Sequence, residues 1–178
     1  MHPAPLPAKE QARLAALYAL LLLDTPPEER FDKIVGFAAQ EFAVPIALIS
    51  LLDSERQWFK AKVGLSACST GRDISFCSHA IIEDDIMVVP DALDDPRFHD
   101  NPLVSGAPHI RFYAGAPIRM PSGHALGTLC IIDTAPRTLD ATDLAILGSL
   151  RDLLVMELSG ASAPEGQAAE QTGKKNDA

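Results

Sequence analysis

Cysteine is scarce in this 178-residue chain. The three present, Cys68, Cys77 and Cys130, cannot make an even disulfide framework, and no Cys-x-x-Cys pair occurs. Reduced thiols are then the default. Positive charge is also in short supply: 15 Lys and Arg against 24 Asp and Glu give a formal net charge of −9. That balance leaves no basic face for nucleic acid and disfavours an anionic membrane surface. No apolar run reaches the roughly 18 residues that a membrane-spanning helix needs. Residues 14–23 (LAALYALLLL) have the look of a secretion signal's apolar stretch. Glu10 in the flank, and DTPPEER where a small-residue cleavage site belongs, argue against it. A cytoplasmic location is the expectation. What remains is a composition of 47% hydrophobic and 22% charged residues, which suits one globular domain with a core of its own.

The segments can be read in order. Lys9 to Leu23 has a helical stripe of Leu14, Leu17, Tyr18 and Leu21, and Leu20, Leu22 and Leu23 widen it. So broad a stripe needs a cover, which makes residues 1–24 a candidate dimerisation element. Thr25-Pro-Pro-Glu28 is a helix start with a capping box, and Phe31, Ile34, Val35, Ala38 and Phe42 form one buried face behind it. Pro45–Leu52 and Gln57–Val63 make a hairpin, the second arm alternating Trp58, Lys60 and Lys62 against Phe59, Ala61 and Val63. Phe76–Ile82 is a short helix or turn, and Met87–Val89 a short strand. Pro90–His109 is a long Asp- and Pro-rich connection, tied down by Phe98, Leu103, Val104 and Ile110. Ile110–Ile118 and Ala125–Ile132 form a second hairpin. Asp140-x-x-Asp143 opens a last helix with Leu144, Leu147, Leu150, Leu154 and Leu158 as its stripe. Residues 159–178 hold no aliphatic side chain larger than Ala and read as a disordered tail.

Tight turns between neighbouring strands imply an antiparallel sheet. IALISLL and GTLCIID are apolar at nearly every position, so both faces of that sheet must be covered. The fold class is α+β, with terminal helices over one face and the segment from 65 to 109 over the other.

Several stretches, taken in order, carry a family resemblance: LLDTPPEERFD, VPIALISLLDSERQWFKAKVGL, DISFCSHAI, VVPDALDDPRFHDNPLV, IRFYAGAPI and GTLCIID. Over residues 25–158 the chain resembles a GAF domain, of the subgroup found ahead of bacterial sensor histidine kinases and diguanylate cyclases. The resemblance implies a six-stranded antiparallel sheet, a helical layer that often makes a homodimer, and a small-molecule pocket on the opposite face. It implies a sensory domain of bacterial signal transduction rather than an enzyme, acting through dimer helices or through a kinase or cyclase partner. No phosphoacceptor, ATP-binding or cyclase motif is visible. The phytochrome-type sequence for bilin attachment and the NKFDE signature of cyclic-nucleotide-binding relatives are absent too, so the cofactor stays unknown.

Five residues are candidates for the pocket: Phe76, Cys77, His79, Arg111 and Tyr113. Arg111 and Tyr113 share one side of their strand, where Gly115 and small alanines leave space. There Arg111 would hold an anionic group and Tyr113 would present a hydroxyl. The alternative for Arg111 is an ion pair with an acid of the 91–100 loop. Cys77 and His79 suggest an activated thiol or a metal pair. Packing of a small apolar thiol beside a locally bonded His is the plainer reading, and no further ligand stands near enough for a metal. The three cysteines together raise a reductase of the free methionine sulfoxide type, although its flanking sequence is missing. A pure dimerisation module is a third option. The acids Glu83, Asp84, Asp85, Asp91, Asp94, Asp95 and Asp100 lack the spacing of a calcium loop and read as caps and turns.

Overall fold

A computed structural model describes residues 2–160. The expected tail at 159–178 therefore lies, apart from its first two residues, outside the described residues. Six strands form one antiparallel sheet: β1 (Ile46–Leu52), β2 (Arg56–Val63), β3 (Ser69–Gly71), β4 (Met87–Val89), β5 (Phe112–Arg119) and β6 (Ala125–Asp133). Their order across the sheet is β3-β2-β1-β6-β5-β4. The central pair, β1 and β6, is buried at every position, because helices cover one face and a roof of short segments covers the other.

The helical face is built from α2 (Glu29–Glu41) and α5 (Ala141–Leu158). Phe31, Ile34, Val35 and Ala38 of α2 and Leu147 and Leu154 of α5 pack on Ala47, Ile49, Phe112, Ala114, Ala116, Leu129 and Ile131. Asp140 caps α5, accepting from the amides of Thr142 and Asp143 while Asp143 accepts from the amide of Asp140. The roof contains α3 (Phe76–Ala80) and α4 (Pro102–Ser105). Its core joins Phe76, Ala80, Phe98, Val104 and Ile110 to Leu48, Tyr113, Cys130 and Ile132 of the sheet.

Three expectations are corrected. The first helix, α1, runs only from Glu10 to Ala19. Leu21 and Asp24 then take left-handed backbone, turning the chain so that Leu22 and Leu23 fold back against the α1 cluster of Leu17, Leu51, Trp58 and Leu126. The wide leucine stripe is thus largely covered within the chain. Leu21 alone of Leu20–Leu23 is fully turned out, and Tyr18 is half exposed with its hydroxyl donating to Asp53 at 2.8 Å. Second, no capping box forms at Thr25–Glu28. Both side chains are drawn instead to Lys60, whose buried ammonium reaches Thr25 Oγ1 at 2.7 Å, the Pro26 carbonyl at 2.8 Å and Glu28 Oε1 at 2.7 Å. A buried cation without such partners would cost several kcal/mol. Third, the alternation of β2 breaks at the same lysine. Ile49 pairs with Ala61 and Ser50 with Phe59, so Lys60 is the unpaired residue of a bulge. Phe59 therefore faces the roof while Ala61 joins the helical side. Trp58 and Phe59 do face opposite ways.

Candidate functional site: a cavity under the roof

Between the roof and the sheet lies a cavity of about 250 Å³, just below the usual range for ligand pockets. Leu48, Phe59, Tyr113 and Ile132 come up from the sheet, and Phe76 and Cys77 come from α3. Leu65, Ser66 and Ala67 close one side; Leu103, Ala107, Pro108 and Ile110 close the other. Ser66, Ala67 and Ala107 are solvent-exposed, so they make a rim, whereas Cys77 and Tyr113 are buried and make the floor. The lining contains no Lys, Arg, His, Asp or Glu. Its polar groups are Gln57, Ser66, Thr70, Tyr113 and the Cys77 thiol.

Short polar ties hold the roof. Asn101 is buried, accepts from the Leu103 amide at 2.8 Å as cap of α4, and donates to the Ile74 carbonyl at 2.9 Å. Ser75 caps α3, accepting from the amide of Ser78, and donates to Gln57 Oε1 at 2.7 Å. Ser50 donates to the same oxygen at 3.0 Å, while Gln57 Nε2 donates to Thr70 at 2.7 Å. Phe76 stacks on Phe98 with 4.0 Å between centroids and tilts against Tyr113.

Two thiols meet at the floor. Cys77 Sγ lies 3.9 Å from Cys130 Sγ, and the Tyr113 hydroxyl donates to Cys77 Sγ at 3.3 Å. Gly115 makes the last contact possible, because a Cβ there would land on the Tyr113 hydroxyl. Burial opposes ionisation of Cys77. The Cys130 thiol, then the hydroxyls of Thr128, Tyr113 and Ser50, outweigh it and lower the Cys77 thiol below its ordinary value. Cys130 is pushed well up, first by its bond to Cys77 and then by burial. Burial and the neighbouring sulfurs likewise push Tyr113 up.

Of the five candidate residues, the fold brings Phe76, Cys77 and Tyr113 to the cavity wall. Arg111 points elsewhere: its guanidinium forms a two-armed pair with Asp91, Nε lying 2.7 Å from Oδ1. This is the ion pair with an acid of the 91–100 loop that was the alternative for Arg111. His79 also lies outside the cavity, against the edge of Phe98 and 3.2 Å from the His2 carbonyl. Burial, with the charge of Arg97 next, lowers its pKa. The acids behave as turn residues where their bonds are visible: Asp91 accepts from the Leu93 amide and Asp95 from Arg97. Among the described residues no three or more His, Cys, Asp or Glu come together as a metal site. Cys68 is exposed, with Lys62 Nζ at 3.5 Å, apart from the buried pair. The sequence places the 65–109 segment over this face but does not single out Gln57, Thr70 or Asn101. Only the polar positions inside the apolar strand context of Ser50 and Gln57 offered a signal.

A two-faced antiparallel sheet, helices on one side and a roofed cavity on the other, defines a domain of α+β class. Residues 26–158 match the GAF domain family, and the chain belongs to that family. It is 45% identical over 159 residues to a cyclic di-GMP phosphodiesterase of Pseudomonas aeruginosa; the match takes in 89% of this chain but only 27% of that protein. The chain thus spans about a quarter of the curated relative's length. A solved GAF domain from an Acinetobacter phosphoenolpyruvate-protein phosphotransferase superimposes with a TM-score of 0.60 at 19% identity, covering 84% of this chain and 94% of that one. A free methionine-R-sulfoxide reductase of Neisseria meningitidis gives 0.62 at 18% identity, covering 90% and 98%. Those two likenesses concern the fold alone. No helix among the described residues is long and apolar enough to cross a membrane.

Proposed function

We propose that this domain is a cytoplasmic sensory module of bacterial signal transduction, acting by binding rather than catalysis. It takes a small, uncharged, largely apolar ligand into the cavity between sheet and roof. The observation that carries this reading is the lining: aliphatic and aromatic walls, a few convergent polar groups, and none of the basic or acidic side chains that a charged ligand needs. Phe76, Cys77 and Tyr113 contact the ligand; His79 and Arg111 brace the roof from outside. The likeness to a phosphodiesterase of a second messenger supports a signalling role. A cyclic dinucleotide carries two phosphates and does not suit this lining, so the messenger itself is not the ligand sensed here.

The sheet is the means of relay. Tyr113 faces the cavity, while Phe112 and Ala114, its neighbours on β5, pack under α2 and α5. A ligand that shifts β5 therefore changes the seat of the helices, and differential affinity for two helix arrangements is all that a switch requires. The helices pass the change to a second copy and to a kinase, cyclase or related output.

Native mass spectrometry of protein purified from its own cells, beside the denatured mass, tests the reading. The expected result is a small mass lost on denaturation, absent from an Ala107→Trp variant whose side chain fills the cavity mouth and whose circular dichroism is unchanged. A bare chain in both spectra overturns it.

A further inference from the structure

We propose that Cys77 and Cys130 are a thiol pair that a small hydroperoxide, entering through the cavity, converts into a disulfide joining the roof to the sheet. Three features of geometry carry this. The sulfurs already face each other at 3.9 Å, so a bond of about 2.05 Å needs an approach of only about 2 Å. Cys77 lines the cavity, whose rim at Ser66, Ala67 and Ala107 reaches solvent. The lining carries no basic or acidic side chain, which suits an uncharged oxidant little larger than water. Cys130 is fixed at the centre of the sheet, paired with Leu48 on one side and Gly115 on the other. Cys77 sits on a five-residue helix, so α3 is the part that moves.

The chemistry balances in two steps. The Cys77 sulfur attacks one peroxide oxygen, the O–O bond breaks, and Cys77 becomes a sulfenic acid while the other oxygen leaves as water or an alcohol, taking the thiol proton. Cys130 then attacks the Cys77 sulfur, its own proton leaves with the sulfenic oxygen as water, and the S–S bond forms. Two thiols have given up two protons and two electrons to the peroxide. Cys77 is the first sulfur to react because it is both the one on the cavity wall and the one its neighbours favour as thiolate. The new bond draws α3 onto the sheet and takes away the sulfur on which the Tyr113 hydroxyl rests, so oxidation reshapes the cavity floor. The proposal shares the cavity with the sensing role but does not depend on it: a protein that carries no ligand still oxidises.

The test is hydrogen peroxide added to the reduced full chain, followed by alkylation, intact mass and peptide mapping. The expected product has lost two hydrogens, keeps one alkylatable thiol, Cys68, and yields a linked peptide pair through Cys77 and Cys130. Its rate exceeds oxidation of Cys68 by at least tenfold. In Cys130→Ala, dimedone labels Cys77 as a trapped sulfenic acid; if that variant does not fold, the map of the native chain decides alone. Three alkylatable thiols at a peroxide dose that oxidises Cys68 in the unfolded chain, or a bond that includes Cys68, overturns the proposal.

Discussion

A missing side chain sets the chemistry at Gly115. The Tyr113 ring lies along its own strand over that glycine, and its hydroxyl occupies the space a Cβ would need. Gly115→Ala should expel the ring, cost about 1–3 kcal/mol in urea unfolding as overpacking does, and release the hydrogen bond to Cys77. Thiol titration checks the second effect: with the Tyr113 donor gone, the Cys77 pKa should rise. Arg111 shows the reverse case, a residue that looks free in sequence and is committed in space. With its guanidinium on Asp91, Arg111→Ala should leave the cavity adduct in the native mass spectrum unchanged. Loss of the adduct would return Arg111 to the site.

At the scale of elements, α1 and α4 are attached by buried polar contacts. Glu10 bridges Arg13, at 2.7 Å, and Arg72, at 2.6 Å, and Arg13 also donates to the Leu52 carbonyl. Burial works against the Glu10 carboxylate, but the hydrogen bonds of Arg13 and Arg72 prevail and hold its pKa at about 2, below an ordinary 4.5. A carboxyl depressed in the folded state stabilises it at neutral pH and loses that contribution as pH falls from about 4.5 to about 2. Trp58 lies in the cluster under α1, so its emission should report α1 detaching across that window. Glu10→Gln should flatten the acid transition and cost about 1–2 kcal/mol at pH 7, the worth of charged hydrogen bonds trimmed by solvent screening. Asn101 does the same work in the roof. Asn101→Ala removes the α4 cap and the link to Ile74, an expected loss of about 1–3 kcal/mol, with faster amide exchange confined to residues 74–110.

At the scale of the molecule, several apolar side chains of the helical layer face outward. Phe37 of α2 and Leu153 and Met156 of α5 are about half exposed, and they adjoin a groove edged by Arg30, Lys33 and Glu157. A patch bearing both signs around an apolar centre is suited to a twofold copy of itself. The dimer proposed here therefore uses α2 and α5 rather than the leucines of residues 20–23, most of which are already covered within the chain. Light scattering at micromolar concentration should give twice the chain mass, and Phe37→Glu with Leu153→Glu should return it to the monomer without changing the melting of the sheet.

Local rules were enough for the longer elements, but not for the short β3 and α4 or for the end of α1 at Ala19. Period-two alternation, the Asp140–Asp143 box and the unbroken apolar runs of β1 and β6 placed the hairpins, the last helix and the need for cover on both sheet faces, because each depends on neighbours within a few residues. Three of the five pocket candidates reach the cavity, Tyr113 from β5 and Phe76 and Cys77 from α3 in the roof. What needed the tertiary structure were contacts between distant residues. Lys60 found Thr25 and Glu28 and abolished a capping box; Arg111 found Asp91; Cys77 found Cys130 across 53 positions. Burial makes an unpaired polar group costly, so partners are chosen by proximity in the folded chain, which no local pattern encodes.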